Sequence, residues 1–236
     1  DAAASAIRGE GMTLYLSHLR LSRKPSAQAL APLLSPGHPA ARRAAQHNLL
    51  WSVFADGPDR DRDFLWREER ENSFLTLSAR PPTQTDLFES HQVKEFAPAL
   101  ASGDRLDFQL RCNATRQKRG GEPKRVDEVM DALSALPVAE RATHRMRLAS
   151  EEGSAWLARQ GAKSGFSVQK AEAADYSTEV LPGHRGLRKG QPQFAILDLT
   201  GRIEITDPAA FLMQMAAGFG RAKAFGCGLM LIRRAA

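Results

Sequence analysis

Residues Gly218 to Gly228 read G-F-G-R-A-K-A-F-G-C-G, which places four glycines and two cations within eleven positions. Glycine lets a backbone come close to a ligand, and cations beside it favour phosphate. The phosphate could belong to a nucleotide or to the backbone of a nucleic acid. A dinucleotide fingerprint follows a strand and opens a helix. Here the helical pattern comes before the loop and a strand pattern comes after it. A Walker-type loop needs Ser or Thr behind its lysine, and Ala224 follows Lys223. No nucleotide cofactor is therefore expected. Two readings stay open: Gly218, Gly220, Gly226 and Gly228 hold a nucleic-acid backbone with Arg221 and Lys223, or they make a helix-to-strand turn that needs positive φ.

The other cluster that could do chemistry is acidic: D-G-P-D-R-D-R-D, Asp56 to Asp63. Read as a calcium loop from Asp59, it has Phe64 where glycine is required and Arg70 in place of the terminal glutamate. Interleaved arginines and a Gly-Pro turn make it a solvated loop, and no metal site is expected. Cys112 and Cys227 stand apart, outside any C-x-x-C pair, and read as small buried hydrophobes in a reducing, cytoplasmic setting. The net charge of +6 favours encounter with polyanions. No apolar run is long enough to cross a bilayer, so no membrane partner is expected.

These residues need a scaffold. Leu14, Leu16, Leu19 and Leu21 nearly alternate, which predicts a strand after Met12. Residues 1–11 have no hydrophobic region and are expected to be an appendage outside the fold. Pro39 suits the first turn of a helix running to about Ala55. Short strands follow at Phe64 to Glu69 and Phe74 to Ala79, then a poorly periodic stretch to Val93–Phe96, and a strand at Arg105 to Asn113. That order is βαββ(α)β with an ill-marked second helix. Thr115 to Arg125 carries five cations in ten positions and predicts a basic linker, with an added helix at Val126 to Leu136. The second half repeats the order: a strand at His144 to Leu148, a helix at Ser150 to Gln160 capped by Ser150, and a strand at Phe166 to Lys170. A long strand or hairpin at Phe194 to Thr206, a helix opened by Asp207-Pro208, and a last strand complete it. The expected fold is α+β, two tandem ferredoxin-like domains at 12–115 and 143–236, with linker and helix at 116–142.

Taken in order, these segments resemble the CasE-type family of CRISPR RNA-processing endoribonucleases. The G-x-G-x-x-K-x-x-G-x-G loop closes two ferredoxin-like domains, as in that family. H-N-L-L-W-S-V-F (His47 to Phe54) occupies the place of its histidine helix, and R-D-F-L-W-R (Arg62 to Arg67) matches the strand that follows. L-R-C-N-A-T (Leu110 to Thr115) and A-W-L (Ala155 to Leu157) match two further segments, so the resemblance runs from Met12 to Ile232. It implies a metal-independent RNase that cuts the stem-loop of a CRISPR repeat by 2′-hydroxyl attack, leaves a 2′,3′-cyclic phosphate and keeps the product. Its partners would be the repeat hairpin and other Cascade subunits.

The resemblance makes His47 the acid/base residue, since imidazole titrates near neutrality. Periodicity alone reads it differently: His47, Leu50, Trp51 and Phe54 share one helix face, as a partly buried structural histidine would. Two positions depart from the family pattern, with Ala44 where members often carry tyrosine and Ser52 where a basic residue can occur. Arg43, one turn before His47, could supply the positive charge; a solvated surface arginine is the other reading. Lys118, Arg119, Lys124, Arg125, Arg145, Arg147, Arg185, Arg188, Lys189, Arg221 and Lys223 are expected to line the RNA, because duplex RNA is read through shape and phosphate. His18, His38, His91, His144 and His184 rank below His47. A non-catalytic RNA-binding subunit is the alternative.

Overall fold

The computed structural model describes residues 13–24, 30, 33, 36–37, 39–55, 57, 61–118, 124–181 and 192–235. The first sheet contains β1 (Tyr15–Arg20), β2 (Phe64–Arg70), β3 (Ser73–Ser78) and β4 (Gln92–Glu95), in the order β2-β3-β1-β4. All three pairings are antiparallel. Helix α1 (Pro39–Phe54) lies between β1 and β2 in sequence, as expected. It buries Leu49, Leu50, Val53 and Phe54 against Leu19, Phe64, Trp66 and Phe74. No helix forms at residues 79–91, so the ill-marked second helix of this half is absent.

The second sheet is built from β5 (Arg105–Cys112), β8 (Phe166–Val180), β9 (Gln193–Ile205) and β10 (Met230–Arg234), in the order β10-β5-β9-β8. Numbered within its own half, this is the first sheet's 2-3-1-4 arrangement read from the other edge. The fold is therefore α+β with two ferredoxin-like sheets. Helices α3 (Arg141–Gly161) and α4 (Pro208–Ala217) cover one face, burying Ala149, Trp156, Leu157, Phe211 and Met215 over Leu106, Phe108, Leu197 and Leu199. Asp207 caps α4 by accepting from the Ala210 N–H at 3.1 Å, with Pro208 at its first position.

Three expectations are corrected. Arg105 to Asn113 does not close the first sheet. The strand pairs with β9 and β10, so the halves divide between β4 and β5 rather than after residue 115. Its alternation of Leu106, Phe108, Leu110 and Cys112 shows only that one face is buried, and partner choice is a long-range matter. The expected linker is a hairpin, β6 (Thr115–Lys118) with β7 (Lys124–Asp127), leading into α2 (Glu128–Ser134). Asp127 caps α2 through the N–H groups of Val129 and Met130. His144 to Leu148, expected as a strand, belongs to α3. Its short alternation is overridden by the wider spacing of Ala149, Gly153, Trp156 and Leu157, all buried on one helical stripe. Ser150 is consequently mid-helix, and its hydroxyl accepts from the Ala173 N–H at 3.0 Å instead of capping.

The two sheets meet through a third apolar cluster, Leu14, Leu65, Leu77 and Leu229, backed by Phe96, Ala216 and Leu231. The glycine loop crosses this seam.

Candidate active site

His47 lies half-buried on α1, one turn from Trp51. The Trp51 indole Nε1–H donates to His47 Nε2 at 3.1 Å. An indole nitrogen can only donate, so Nε2 carries the lone pair and the ring proton sits on Nδ1. His47 Nδ1 is buried and has no hydrogen-bond partner among the described residues. Trp51 in turn packs edge-on against Phe64 at the start of β2, with ring centroids 5.3 Å apart. Burial holds the His47 pKa below the ordinary 6.5, and the charge of nearby Arg62 lowers it further. The ring is therefore neutral at pH 7.

The glycine loop closes over this region. All four glycines have positive φ, between 72° and 98°. A Cβ at Gly218 would stand 2.7 Å from a Leu65 methyl, and one at Gly226 would stand 3.2 Å from the Trp66 ring. These close approaches are to the protein's own first sheet, which is the turn reading of the loop. Between the glycines, Ala222 adopts φ 53° and starts a 3-10 turn at Lys223–Phe225 that packs on α1 and β2. Lys223 is drawn inward: its Nζ donates to the Ala217 carbonyl at 2.6 Å. Burial and then Arg62 lower its pKa. Thus α1, the entrance to β2 and the 3-10 turn bring the Arg62 charge within electrostatic reach of both His47 and Lys223.

Arg43 is not the free charge expected one turn before His47. It makes a two-pronged ion pair with Glu179 of β8, both contacts at 2.7 Å, and its side chain is only 14% exposed. A third bond reaches the Phe225 carbonyl at 3.3 Å. The residue pins α1 to the second sheet and to the glycine loop. Nor can Ser52 substitute, because its hydroxyl donates to the Leu49 carbonyl of its own helix at 2.6 Å.

The remaining expected cations divide. Lys118 and Arg125 are exposed on the β6–β7 hairpin, and Lys118 reaches Asp131 at 3.0 Å. Lys124 lies on β7 opposite Lys118. Arg221 is exposed, and its backbone N–H donates to the Asn113 carbonyl at 3.3 Å, two residues before the hairpin begins. Arg145 and Arg147 are on a helix rather than the expected strand. Arg145 donates to the Tyr176 carbonyl at 2.8 Å and covers that ring, while Arg147 pairs with Glu151 at 2.7 Å. Arg119, Arg185, Arg188 and Lys189 lie outside the described residues, as do His38, His184, Asp56 and Asp59.

Of the other histidines, His18 bonds the Ser73 hydroxyl at 2.7 Å and His91 packs against Phe88. Asp63 of the acidic cluster pairs with Arg80 at 2.7 Å. Among the described residues, no three His, Cys, Asp or Glu side chains converge as metal ligands would. Cys112 and Cys227 are buried free thiols, and burial pushes Cys227 up to about 12. No helix among the described residues is long and apolar enough to cross a membrane.

Sequence reasoning missed Arg62 and the bond from Trp51. Arg62 is hidden in an aspartate-rich loop, and only the contact of β2 with α1 reveals its setting.

Two ferredoxin-like sheets joined by a glycine loop define the class of protein as tandem ferredoxin-like. The model of the CRISPR associated protein family matches residues 14–234, and the chain belongs to that family. It is 27% identical over 190 residues to the CRISPR system Cascade subunit CasE of Escherichia coli K12, covering 78% of this chain and 88% of that one. It is also 27% identical over 223 residues to the CRISPR-associated endoribonuclease Cse3 of Thermus thermophilus, covering 85% and 96%. The fold is shared with a solved structure of CRISPR endoribonuclease Cse3 bound to a 19-nucleotide RNA. That match has a TM-score of 0.66 and 23% identity over 95% of this chain and 100% of the other.

Proposed function

We propose that this chain is an endoribonuclease that processes CRISPR RNA by cutting the repeat hairpin, and that it stays with its product as a Cascade subunit. The observation that carries the reading is a neutral His47, its lone-pair nitrogen bonded by Trp51, that lies within electrostatic reach of Arg62, whose charge also acts on Lys223. Its relatives' names add weight, one being a Cascade subunit and another an endoribonuclease.

In the proposed reaction the substrate's 2′-hydroxyl replaces the Trp51 indole at His47 Nε2 and gives up its proton there. The 2′-oxygen then bonds to the adjacent phosphorus as the bond from phosphorus to the 5′-oxygen breaks. The departing oxygen takes a proton from solvent. The products are a 2′,3′-cyclic phosphate and a 5′-hydroxyl end. All of these steps use protein side chains and water, so cleavage is expected to persist in EDTA.

The deciding experiment is single-turnover cleavage of type I-E repeat hairpins in EDTA by wild type and His47→Ala. Losing a general base should slow the cut by about 10²–10⁴-fold while hairpin binding survives. A second reading, an RNA-binding subunit without catalysis, is favoured by the hydrogen bond that occupies Nε2 in the free protein and by Ala44. Binding by both proteins with cutting by neither would establish it.

A further inference from the structure

Arg62 lies two residues before β2, half-buried, in the segment that carries Phe64 onto Trp51. Among the described residues its guanidinium has no carboxylate partner. Its neighbour Asp63 is held by Arg80 at 2.7 Å, and Arg43 on α1 is held by Glu179. His47 and Lys223 both feel the Arg62 charge, although each comes from a different element. Burial also lowers the Arg62 pKa itself.

Gathering a guanidinium, an ammonium and an imidazole, with no carboxylate among the described residues paired to the guanidinium, is electrostatically unfavourable unless an anion completes the cluster. The loop geometry maintains this arrangement. Ala222 holds a left-handed conformation, and the turn after it is seated on α1 and β2, so Lys223 folds inward onto the Ala217 carbonyl, within electrostatic reach of Arg62. Lys223 already donates one N–H to Ala217, whereas the planar fork of Arg62 remains available to two oxygens at once.

We propose that Arg62 contacts the scissile phosphate and neutralises the charge that builds on it as the 2′-oxygen attacks. The proposal rests on the nuclease reading above and names the residue that does the work there which Arg43 and Ser52 cannot do. It also gives the cluster an order: His47 takes the proton, and Arg62 holds the phosphate that the new alkoxide attacks. Proton uptake by His47 next to Arg62 is opposed by like charge, which favours rapid release of that proton to solvent after the cut.

The test compares wild type, Arg62→Gln and Arg62→Lys by three measurements. These are single-turnover cleavage in EDTA, affinity for a hairpin with a 2′-deoxy sugar at the cut, and NMR titration of the His47 ring in the free protein. Losing a preorganised charge-stabilising donor should slow Arg62→Gln cleavage by about 10²–10³-fold. Affinity for the uncleavable hairpin should change by no more than roughly three-fold, since one of many phosphate contacts is removed. The His47 midpoint should move upward in Arg62→Gln and stay near wild type in Arg62→Lys, which also keeps part of the rate and serves if the Gln variant folds poorly. Wild-type cleavage rates in both variants would overturn the proposal, and so would a loss of affinity matching the loss of rate. An unmoved His47 midpoint in Arg62→Gln would overturn the placement of Arg62 beside the ring, whatever the protein's activity. Failure of wild type itself to cut any repeat hairpin would remove the nuclease reading and the catalytic role of Arg62 with it.

Discussion

A histidine that takes a proton from a hydroxyl works only while it is neutral, and two features keep His47 in that state. Burial disfavours the imidazolium, and Arg62 repels it. The same depression has a consequence for stability. A histidine whose folded pKa lies below 6.5 binds its proton more readily in the unfolded chain, so its contribution is present above pH 6.5 and declines as pH falls through the folded value. The Trp51 N–H adds a third influence, because it bonds to the lone pair that protonation would occupy. Trp51→Phe keeps an aromatic ring on Phe64 but removes that donor. The His47 midpoint in NMR should rise, and the acidic limb of the cleavage profile should move to higher pH with it. The plateau rate should hold or increase, since the 2′-hydroxyl no longer competes with the indole for Nε2. A midpoint that stays in place would mean that the indole does not set the protonation of this ring. His47 itself could be chosen from the sequence by its place on a helix resembling that of the family. Arg62 could not, since nothing in an aspartate-rich stretch separates a solvated arginine from one folded against α1.

At the level of elements, the glycine loop is a joint between two sheets, and its glycines are needed for that joint first. Gly218 ends α4 at φ 78° and ψ 155°, a backbone region that side chains avoid, and a Cβ there would meet Leu65 at 2.7 Å. Gly103 has a comparable φ of 89° but open space around it. Gly218→Ala should therefore lower stability by about 2–4 kcal/mol, and Gly103→Ala by about 1 kcal/mol, in urea unfolding. Equal costs would mean that the close approach to β2 contributes nothing. The alternation of β5 was legible because that strand buries one face, and α4 was legible from Asp207, Pro208 and Gly218 at its ends. The sheet to which β5 belongs was not, for register and partner depend on residues about ninety positions away, such as Thr200 opposite Gln109. The same distance hid the bond between Arg43 and Glu179, whose partners are 136 residues apart in the chain. In α3 a local alternation at His144 to Leu148 competed with a longer helical stripe, and tertiary burial of Trp156 and Leu157 decided the outcome.

Across the whole molecule the excess of 33 Lys and Arg over 27 Asp and Glu is modest, so what matters is which cations lack a carboxylate. Ion pairs bind Arg43 to Glu179, Arg111 to Asp198, Arg202 to Asp107, and both Arg116 and Arg159 to the buried Glu128. Arg221 and Arg125 have no ion pair among the described residues, and both are exposed. Backbone bonding ties Arg221 to Asn113 and so to the root of the hairpin that carries Arg125. We propose that exposed cations from Arg221 in the glycine loop to Arg125 on the hairpin hold the phosphates of a stem that the His47 region would cut. Each cation that meets a phosphate releases a counterion, and affinity then falls with salt in proportion to the number of contacts. Replacing Arg125 and Arg221 together by alanine should flatten the slope of log affinity against log salt by about one unit per residue, to a similar extent for hairpins of any sequence. Lys118→Ala should flatten it less, because Asp131 already partly neutralises that ammonium at 3.0 Å. In the saturated complex the double variant should still cut at the wild-type rate, since neither residue belongs to the group formed by His47, Arg62 and Lys223. A salt response unchanged by the double variant would move the RNA off these cations, and a lost rate in the saturated complex would show that the hairpin positions the scissile phosphate as well as holding the stem.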